Sequence, residues 1–224
     1  MSEERYSRTL KLIGQEGLAK LRAARVIVIG CGGVGSYAAE ACTRAGIGHL
    51  TFMDGDTVAQ SNLNRQLVAL TSTLGRNKAE VMAARARDID PETDVTALGR
   101  FYRTGDELDL TQYDWVIDAI DDVDAKTELI CRATELGVNI ISAMGAAGKF
   151  GTDFKVSDIS KTSVCPLARV MRKRLRERGI ENLPVVYSEE KPVPRDGDLG
   201  TLSYVPGSAG LTLAGYVIRK IAEG

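Results

Sequence analysis

The stretch RVIVIGCGGVGSYAAEA, from Arg25 to Ala41, constrains the fold more than any other part of the chain. A β-branched run (Arg25–Gly30) enters a glycine-rich turn, and small, helix-compatible residues leave it. A buried strand followed by a helix is the repeating unit of an open parallel sheet. Gly30, Gly32 and Gly35 fit the spacing G-x-G-x-x-G. The first glycine permits the turn, the second lets backbone approach a phosphate, and the third lets the helix pack on the strand. With Gly33 they leave backbone N–H groups facing an anion at the helix N-terminus. Asp54, at the end of the next expected strand, stands where a carboxylate meets a ribose hydroxyl.

The remaining pattern extends this unit. Residues 7–24 are expected to be helical, with Leu10, Ile13, Leu18 and Leu21 on an apolar stripe. A helix running to about Gly46 follows the glycine turn. Strands are expected at His49–Asp54, Asp94–Phe101, Trp115–Ala119 and Asn139–Ala143, and helices at Asn77–Asp90 and Ala125–Leu136. After Met144 the alternation weakens. Short strands are expected near Phe154–Asp158, Pro184–Tyr187 and Thr201–Tyr204. A basic helix covers about Pro166–Arg178, a loop Lys191–Gly200, and a last helix Ser208–Ile221. The expected fold is α/β: a Rossmann-like, doubly wound, mostly parallel sheet extended by antiparallel strands in the C-terminal part. The 224 residues suit one domain, with a nucleotide-binding core over 1–150 and a C-terminal extension over 151–224.

Charge and cysteine usage narrow the chemistry. A net charge of −1 gives no global attraction to nucleic acid, so any such contact must be local. RVMRKRLRER (Arg169–Arg178) supplies a local basic face. On that helix Leu167, Val170, Met171 and Leu175 are expected to form the apolar side, with Arg169, Arg172, Lys173 and Arg176 pointing elsewhere and available to RNA phosphates. The four cysteines make no CxxC pair and there is a single histidine, which argues against a structural zinc site. Cys31, Cys42 and Cys131 read as packing residues; Cys165, before Pro166 in an expected loop, reads as a cap or packing residue before a catalyst. No apolar run is long enough to span a bilayer, and MSEERYSR has no signal-peptide character, so a cytoplasmic protein is expected.

A glycine turn with a downstream acid fits either NAD or ATP. DGDTVAQSNLNRQ places Asp54, Asp56, Asn62, Asn64, Arg65 and Gln66 beside the turn, and GRNKAE adds Lys78 at a helix start. Hydride transfer has no need of two cations aimed at phosphates, whereas phosphate displacement does, because fixed positive charge offsets the charge that develops. IDAIDDVDAK brings Asp118, Asp121 and Asp122 to a strand end. Carboxylates facing a triphosphate call for a hard divalent cation, Mg²⁺ being the usual choice.

Together RYSR (Arg5–Arg8), GCGGVGS, DGDTV, SNLNRQ, GRNKAE and DAIDDV resemble the adenylation domain of the ubiquitin-activating-enzyme superfamily, the ThiF-type adenylyltransferases. The resemblance implies that Asp54 holds the ATP ribose and that Asn62, Arg65 and Lys78 contact the phosphates. It implies that Asp121 or its neighbour Asp122 organises Mg²⁺. Arg8 would reach the phosphates of the opposite subunit, which implies a homodimer. The zinc cysteines common among sulfur-carrier-activating members are missing. DISKTSVCPLARVMRKRLRERGI, VVYSEEKPVP and the C-terminal GTLSYVPGSAGLTLAGYVIRKI are similar instead to the branch that dehydrates threonylcarbamoyladenosine in tRNA. That branch implies a tRNA substrate and leaves room for a monovalent cation and a sulfur-transfer partner. The competing expectation is activation of the C-terminal carboxylate of a ubiquitin-like sulfur carrier.

Overall fold

The computed structural model describes residues 4–224. The strands are β1 (Arg25–Ile29), β2 (His49–Met53), β3 (Asp94–Leu98), β4 (Trp115–Asp118), β5 (Asn139–Ala143), β6 (Lys155–Asp158) and β7 (Pro184–Tyr187). The helices are α1 (Ser7–Ala23), α2 (Gly35–Ala45), α3 (Lys78–Ile89), α4 (Val123–Glu135), α5 (Pro166–Arg176) and α6 (Tyr204–Glu223). All seven strands join one sheet in the order β3-β2-β1-β4-β5-β7-β6. Every pairing is parallel except β6 with β7. The C-terminal half extends the sheet as expected, with β7 parallel to β5 and β6 antiparallel to β7.

β1 sits between β2 and β4: Val28 faces Phe52 on one side and Ile117 on the other. Its residues Val26–Ile29 are buried on both faces, as a central parallel strand requires. The chain leaves β1 toward β2 and returns later to β4 on its other side. This reversal opens a crevice at the carboxyl ends of β1 and β4, which is where doubly wound sheets take their ligands.

One helix of the sheet's cover differs from expectation. Thr201–Tyr204 is not a strand; α6 begins at Tyr204, ahead of the expected Ser208. Pro206 lies in the first helical turn, where a missing N–H costs nothing, and the alternating T-L-S-Y preceding it imitates a strand. α6 lies against α2, with Gly210 so close that a Cβ there would meet the Val34 carbonyl at 2.2 Å.

α1 is interrupted at Gly14 (φ 70°, ψ 178°) and is fastened to the far end of α3 through Asp90. The fully buried Asp90 carboxylate accepts from Tyr6 Oη at 2.6 Å, Thr93 Oγ1 at 2.8 Å and Arg5 Nη1 at 2.8 Å, and pairs with Arg22 Nη1 at 2.6 Å. Burial pushes its pKa up, but these donors outweigh that and hold it down at about 2, against an ordinary 3.8. A lowered carboxylate stabilises the fold above its unfolded value and loses that contribution as pH falls through the folded one. We expect wild-type stability to decline between pH 3.8 and about 2, and Asp90→Asn to flatten that decline. The variant should cost about 2 kcal/mol at pH 7, because the half-buried Arg22 loses its close charged partner and keeps Glu92 at 3.9 Å. Denaturant melts at pH 7 and pH 3 measure both effects.

Candidate active site

A cavity of about 880 Å³ occupies the crevice. Its floor is the glycine turn. Gly30 has φ 93°, and a Cβ there would lie 2.6 Å from the Ala119 carbonyl oxygen. Gly32, Gly33 and Val34 line the cavity. Gly35 does not: a Cβ there would sit 1.7 Å from the Gly30 carbonyl oxygen, so this glycine serves contact between helix and strand and not the ligand directly.

Asp54 closes one wall. Its Oδ2 accepts the Cys31 N–H at 2.7 Å and its Oδ1 the Asp56 N–H at 2.8 Å. Burial raises its pKa; the two N–H groups and Lys78 pull the other way. The carboxylate is thus locked in orientation across the turn, with lone pairs left for a hydroxyl. Lys78, at the first position of α3, is buried and holds Asp56 Oδ2 at 2.8 Å. Asn77 caps that helix by accepting the Glu80 N–H at 3.2 Å and ties it to the Asp54 carbonyl at 2.9 Å. Arg65 lies along the cavity, its Nη1 donating to the Ser61 carbonyl at 2.8 Å. Asn62 accepts the Ala59 N–H at 3.0 Å and shapes the turn that carries Arg65 and Gln66. Gln66 is buried, and its Oε1 has no hydrogen-bond partner among the described residues. An orphaned buried carbonyl is costly, and its place on the cavity wall fits a site completed by a ligand.

The opposite wall is the turn after β4. Asp121 and Asp122 line the cavity, exposed. Asp122 caps α4 by accepting the Ala125 N–H at 2.7 Å, while the Asp121 carboxylate takes no hydrogen bond or ion pair among the described residues. Asp118, expected beside them, is turned away: it is fully buried and paired with Lys126 at 2.7 Å. Asn64 also leaves the cavity, donating to the Thr201 carbonyl at 3.2 Å. Among the described residues no three His, Cys, Asp or Glu side chains converge as a metal cluster, so a cation there would rest on Asp121 and on the ligand's own oxygens.

Several wall residues escaped the sequence reading. Phe101 and Arg103 stack after β3, the guanidinium 5.9 Å from the ring centre, and both line the cavity. The aromatic-basic RFYR run after a strand was the signal available. Ala146 and Ala147 form the far end, together with Thr201 and Pro206. Behind that end lies Lys149, 3% exposed, donating to the Ser188 carbonyl at 3.1 Å; burial lowers its pKa.

Arg8 is exposed on α1 and does not line the cavity of its own chain. On α5, Arg169, Lys173 and Arg176 are exposed. Arg172 is not free: its Nη1 donates to the Thr162 carbonyl at 2.9 Å and to Thr162 Oγ1 at 2.6 Å. Val170, expected to be apolar-facing, is 40% exposed, and Ala168 takes its place beside Met171 and Leu175. Cys165 is the buried N-cap residue of α5, and a Cβ on Gly145 would lie 3.6 Å from its sulfur. Burial raises the pKa of Cys31, Cys42 and Cys131, as packing thiols behave. No described helix is long and apolar enough to cross a membrane.

Known proteins resemble this chain along its length. The ThiF family profile matches residues 6–223. The tRNA threonylcarbamoyladenosine dehydratase of Bacillus subtilis is 39% identical over 240 residues, covering 97% of this chain and 94% of that protein. The crystal structure of the Escherichia coli tRNA N6-threonylcarbamoyladenosine dehydratase in complex with ATP superposes with a TM-score of 0.91 at 34% identity, covering 99% of this chain and 95% of that one. Its complex with AMP gives 0.92 at 35% identity over the same shares. With the profile matched over residues 6–223 and a relative 39% identical along nearly its whole length, the chain belongs to the ThiF family.

Proposed function

We propose that this protein dehydrates threonylcarbamoyladenosine in tRNA at the expense of ATP, by adenylating the threonyl carboxylate. The observation that carries the reading is the convergence of Lys78, Arg65 and Asp121 on the glycine turn within one cavity, in a chain similar to the dehydratases from end to end. A dinucleotide oxidoreductase has no use for that pair of cations, and a sulfur-carrier adenylyltransferase has no use for the basic face of α5.

The chemistry follows from the groups present. A carboxylate is a poor electrophile because its oxygen leaves reluctantly. Attack of that oxygen on the α-phosphorus forms an acyl-adenylate and expels pyrophosphate. Lys78 and Arg65 offset the charge that gathers on the phosphates, and the N–H groups of the glycine turn hold the oxygens. Asp54 fixes the ribose, and the unpaired carbonyl of Gln66 gains a partner on binding. A divalent cation on Asp121 would neutralise phosphate charge further. The neighbouring carbamoyl group then closes a ring on the activated carbonyl and releases AMP, so that one water is lost overall. Ring closure is intramolecular and draws its rate from proximity, which leaves the buried Cys165 without a chemical task. Arg169, Lys173 and Arg176 meet RNA phosphates in a salt-dependent contact, and the cytoplasm is the proposed place of work.

The direct test is to incubate the protein with ATP, Mg²⁺ and tRNA bearing threonylcarbamoyladenosine, and to weigh the nucleosides. We expect loss of one water mass; an unchanged nucleoside mass, with a carrier-protein tail adenylated instead, would move the assignment to the sulfur-carrier branch. The enzyme works as a homodimer in which Arg8 serves the partner's phosphates. Arg8→Ala and Arg65→Ala chains are each expected to be inactive, and their mixture to recover about one-quarter of wild-type activity, since half the dimers would be mixed and each mixed dimer would hold one intact site. A mixture as inactive as its components removes the role of Arg8.

A further inference from the structure

Three fully buried polar side chains lie behind the Asp121 wall, and the adenylation chemistry leaves them without a task. Lys126 Nζ lies 2.7 Å from Asp118 Oδ2 and 3.1 Å from Ser142 Oγ, and Ser142 Oγ donates to the same Asp118 oxygen at 2.6 Å. All three are 0% exposed. Burying an ion pair is expensive, and apolar residues of similar size usually hold a core as well. The network therefore calls for a use beyond cohesion.

Its placement supplies one. The second oxygen of Asp118 accepts the N–H of Ile120 at 3.0 Å. Ile120 lines the cavity and immediately precedes Asp121. The turn from Ala119 to Asp122 is held at both ends: Asp118 grips it from the β4 side, and Asp122 caps α4, the helix that carries Lys126. The turn also rests on the nucleotide floor, since the Ala119 N–H donates to the Ile29 carbonyl at 2.9 Å and its carbonyl fills the space where Gly30 has no side chain. Ser142 lies on β5, one strand further along, and joins the two strand ends.

We infer that Lys126 is a positioning residue for adenylation: through Asp118 and the Ile120 N–H it fixes the height of the 119–122 turn above the glycine turn, and so the placement of Asp121 against the phosphates. The inference rests on the ATP-dependent reading above. Lys126 touches no substrate. Its effect reaches the reaction through geometry alone, and a misplacement of about 1 Å at a reacting centre costs on the order of 10²-fold in rate.

The test removes the charges together. Asp118→Leu/Lys126→Met replaces the pair by apolar residues and deletes the acceptor for Ile120, whereas Ser142→Ala keeps the pair and loosens it. ATP–pyrophosphate exchange is measured with tRNA bearing threonylcarbamoyladenosine, alongside thermal unfolding and AMP affinity by calorimetry. We expect the double variant to unfold within a few degrees of wild type and to bind AMP normally. Its exchange kcat should fall about 30-fold while the KM for ATP moves less than about threefold, in the range seen when groups that orient ligating side chains are removed. Ser142→Ala should lose about threefold in kcat alone. A double variant that folds and exchanges at the wild-type rate overturns the inference. Should it not fold, Ser142→Ala decides: a fall in kcat at constant KM supports the positioning role, and unchanged kinetics overturn it. A wild-type protein that exchanges no pyrophosphate withdraws the adenylation reading, and this inference with it.

Discussion

Lys78→Met is expected to lower the dehydration rate by about 10³-fold while leaving the fold intact, since one fixed donor at a developing negative charge contributes about 10²–10³ and Lys78 carries a full charge as well. The reasoning is in its surroundings. Lys78 is buried to 5% exposure at the start of α3, where Asn77 and the Asp56 carbonyl fix its backbone. Its ion-pair partner, Asp56, is 55% exposed in its side chain and can return to solvent when the lysine is lost. The buried Asp54 carboxylate loses the nearby charge but keeps the Cys31 and Asp56 N–H groups, so stability should fall by about 1–2 kcal/mol and the fold should survive. The measurement is single-turnover conversion of the modified nucleoside at saturating ATP, paired with a thermal melt. A rate within tenfold of wild type would take Lys78 out of the reaction.

The glycine turn yields the second large effect, as a contrast between two changes of one methyl group. Gly35→Ala places a Cβ 1.7 Å from the Gly30 carbonyl oxygen, and neither backbone can yield without moving β1 or α2. A loss above about 4 kcal/mol is expected, the mark of an overpacked contact between two rigid elements, and most of such chains should be insoluble or melt far below wild type. Gly32→Ala meets only Gln66 Nε2, at 3.8 Å, so the fold should survive. Its methyl group projects where phosphate would approach the backbone, so ATP affinity should fall at least tenfold. Calorimetric ATP titration and unfolding midpoints on both variants separate the two roles. If Gly35→Ala folds normally, glycine at this position is not a requirement of helix–strand packing.

The turn was legible from sequence because steric demands of this kind leave glycine at fixed spacing. The same holds for β1 to β5, whose β-branched runs alternate with helices of regular length, and for the acids and cations that stand close in sequence to the strand ends. What sequence concealed is three-dimensional. Asp118 and Asp121 are three residues apart and look alike, but the first still belongs to β4 and is buried against Lys126, while the second stands in the turn beyond the strand end and lines the cavity. Arg172 reads as one more surface cation, and only the approach of Thr162 from a separate turn shows it engaged. Phe101 and Arg103 join the cavity because the segment after β3 folds back over Gly55, whose missing side chain leaves space for the Phe101 ring. The strand-like TLSY before α6 failed for a local reason: alternation over four residues cannot be told from the irregular approach to a helix.

The position of β1 sets a timetable for the nascent chain. Val26 is paired with Leu50 on one edge and with Trp115 on the other, so the strand that feeds the glycine turn waits for a partner 89 residues downstream. Until β4 has emerged, the nucleotide floor lacks the Ala119 carbonyl packed against it and the strand keeps an open, apolar hydrogen-bonding edge. The nucleotide floor cannot be complete before β4, at about half the chain, and the far end of the cavity waits longer still, for Thr201 and Pro206. Before β4 emerges the same sequence that later cradles a phosphate is the segment most exposed to pairing with the wrong neighbour, and chaperone dependence should concentrate there.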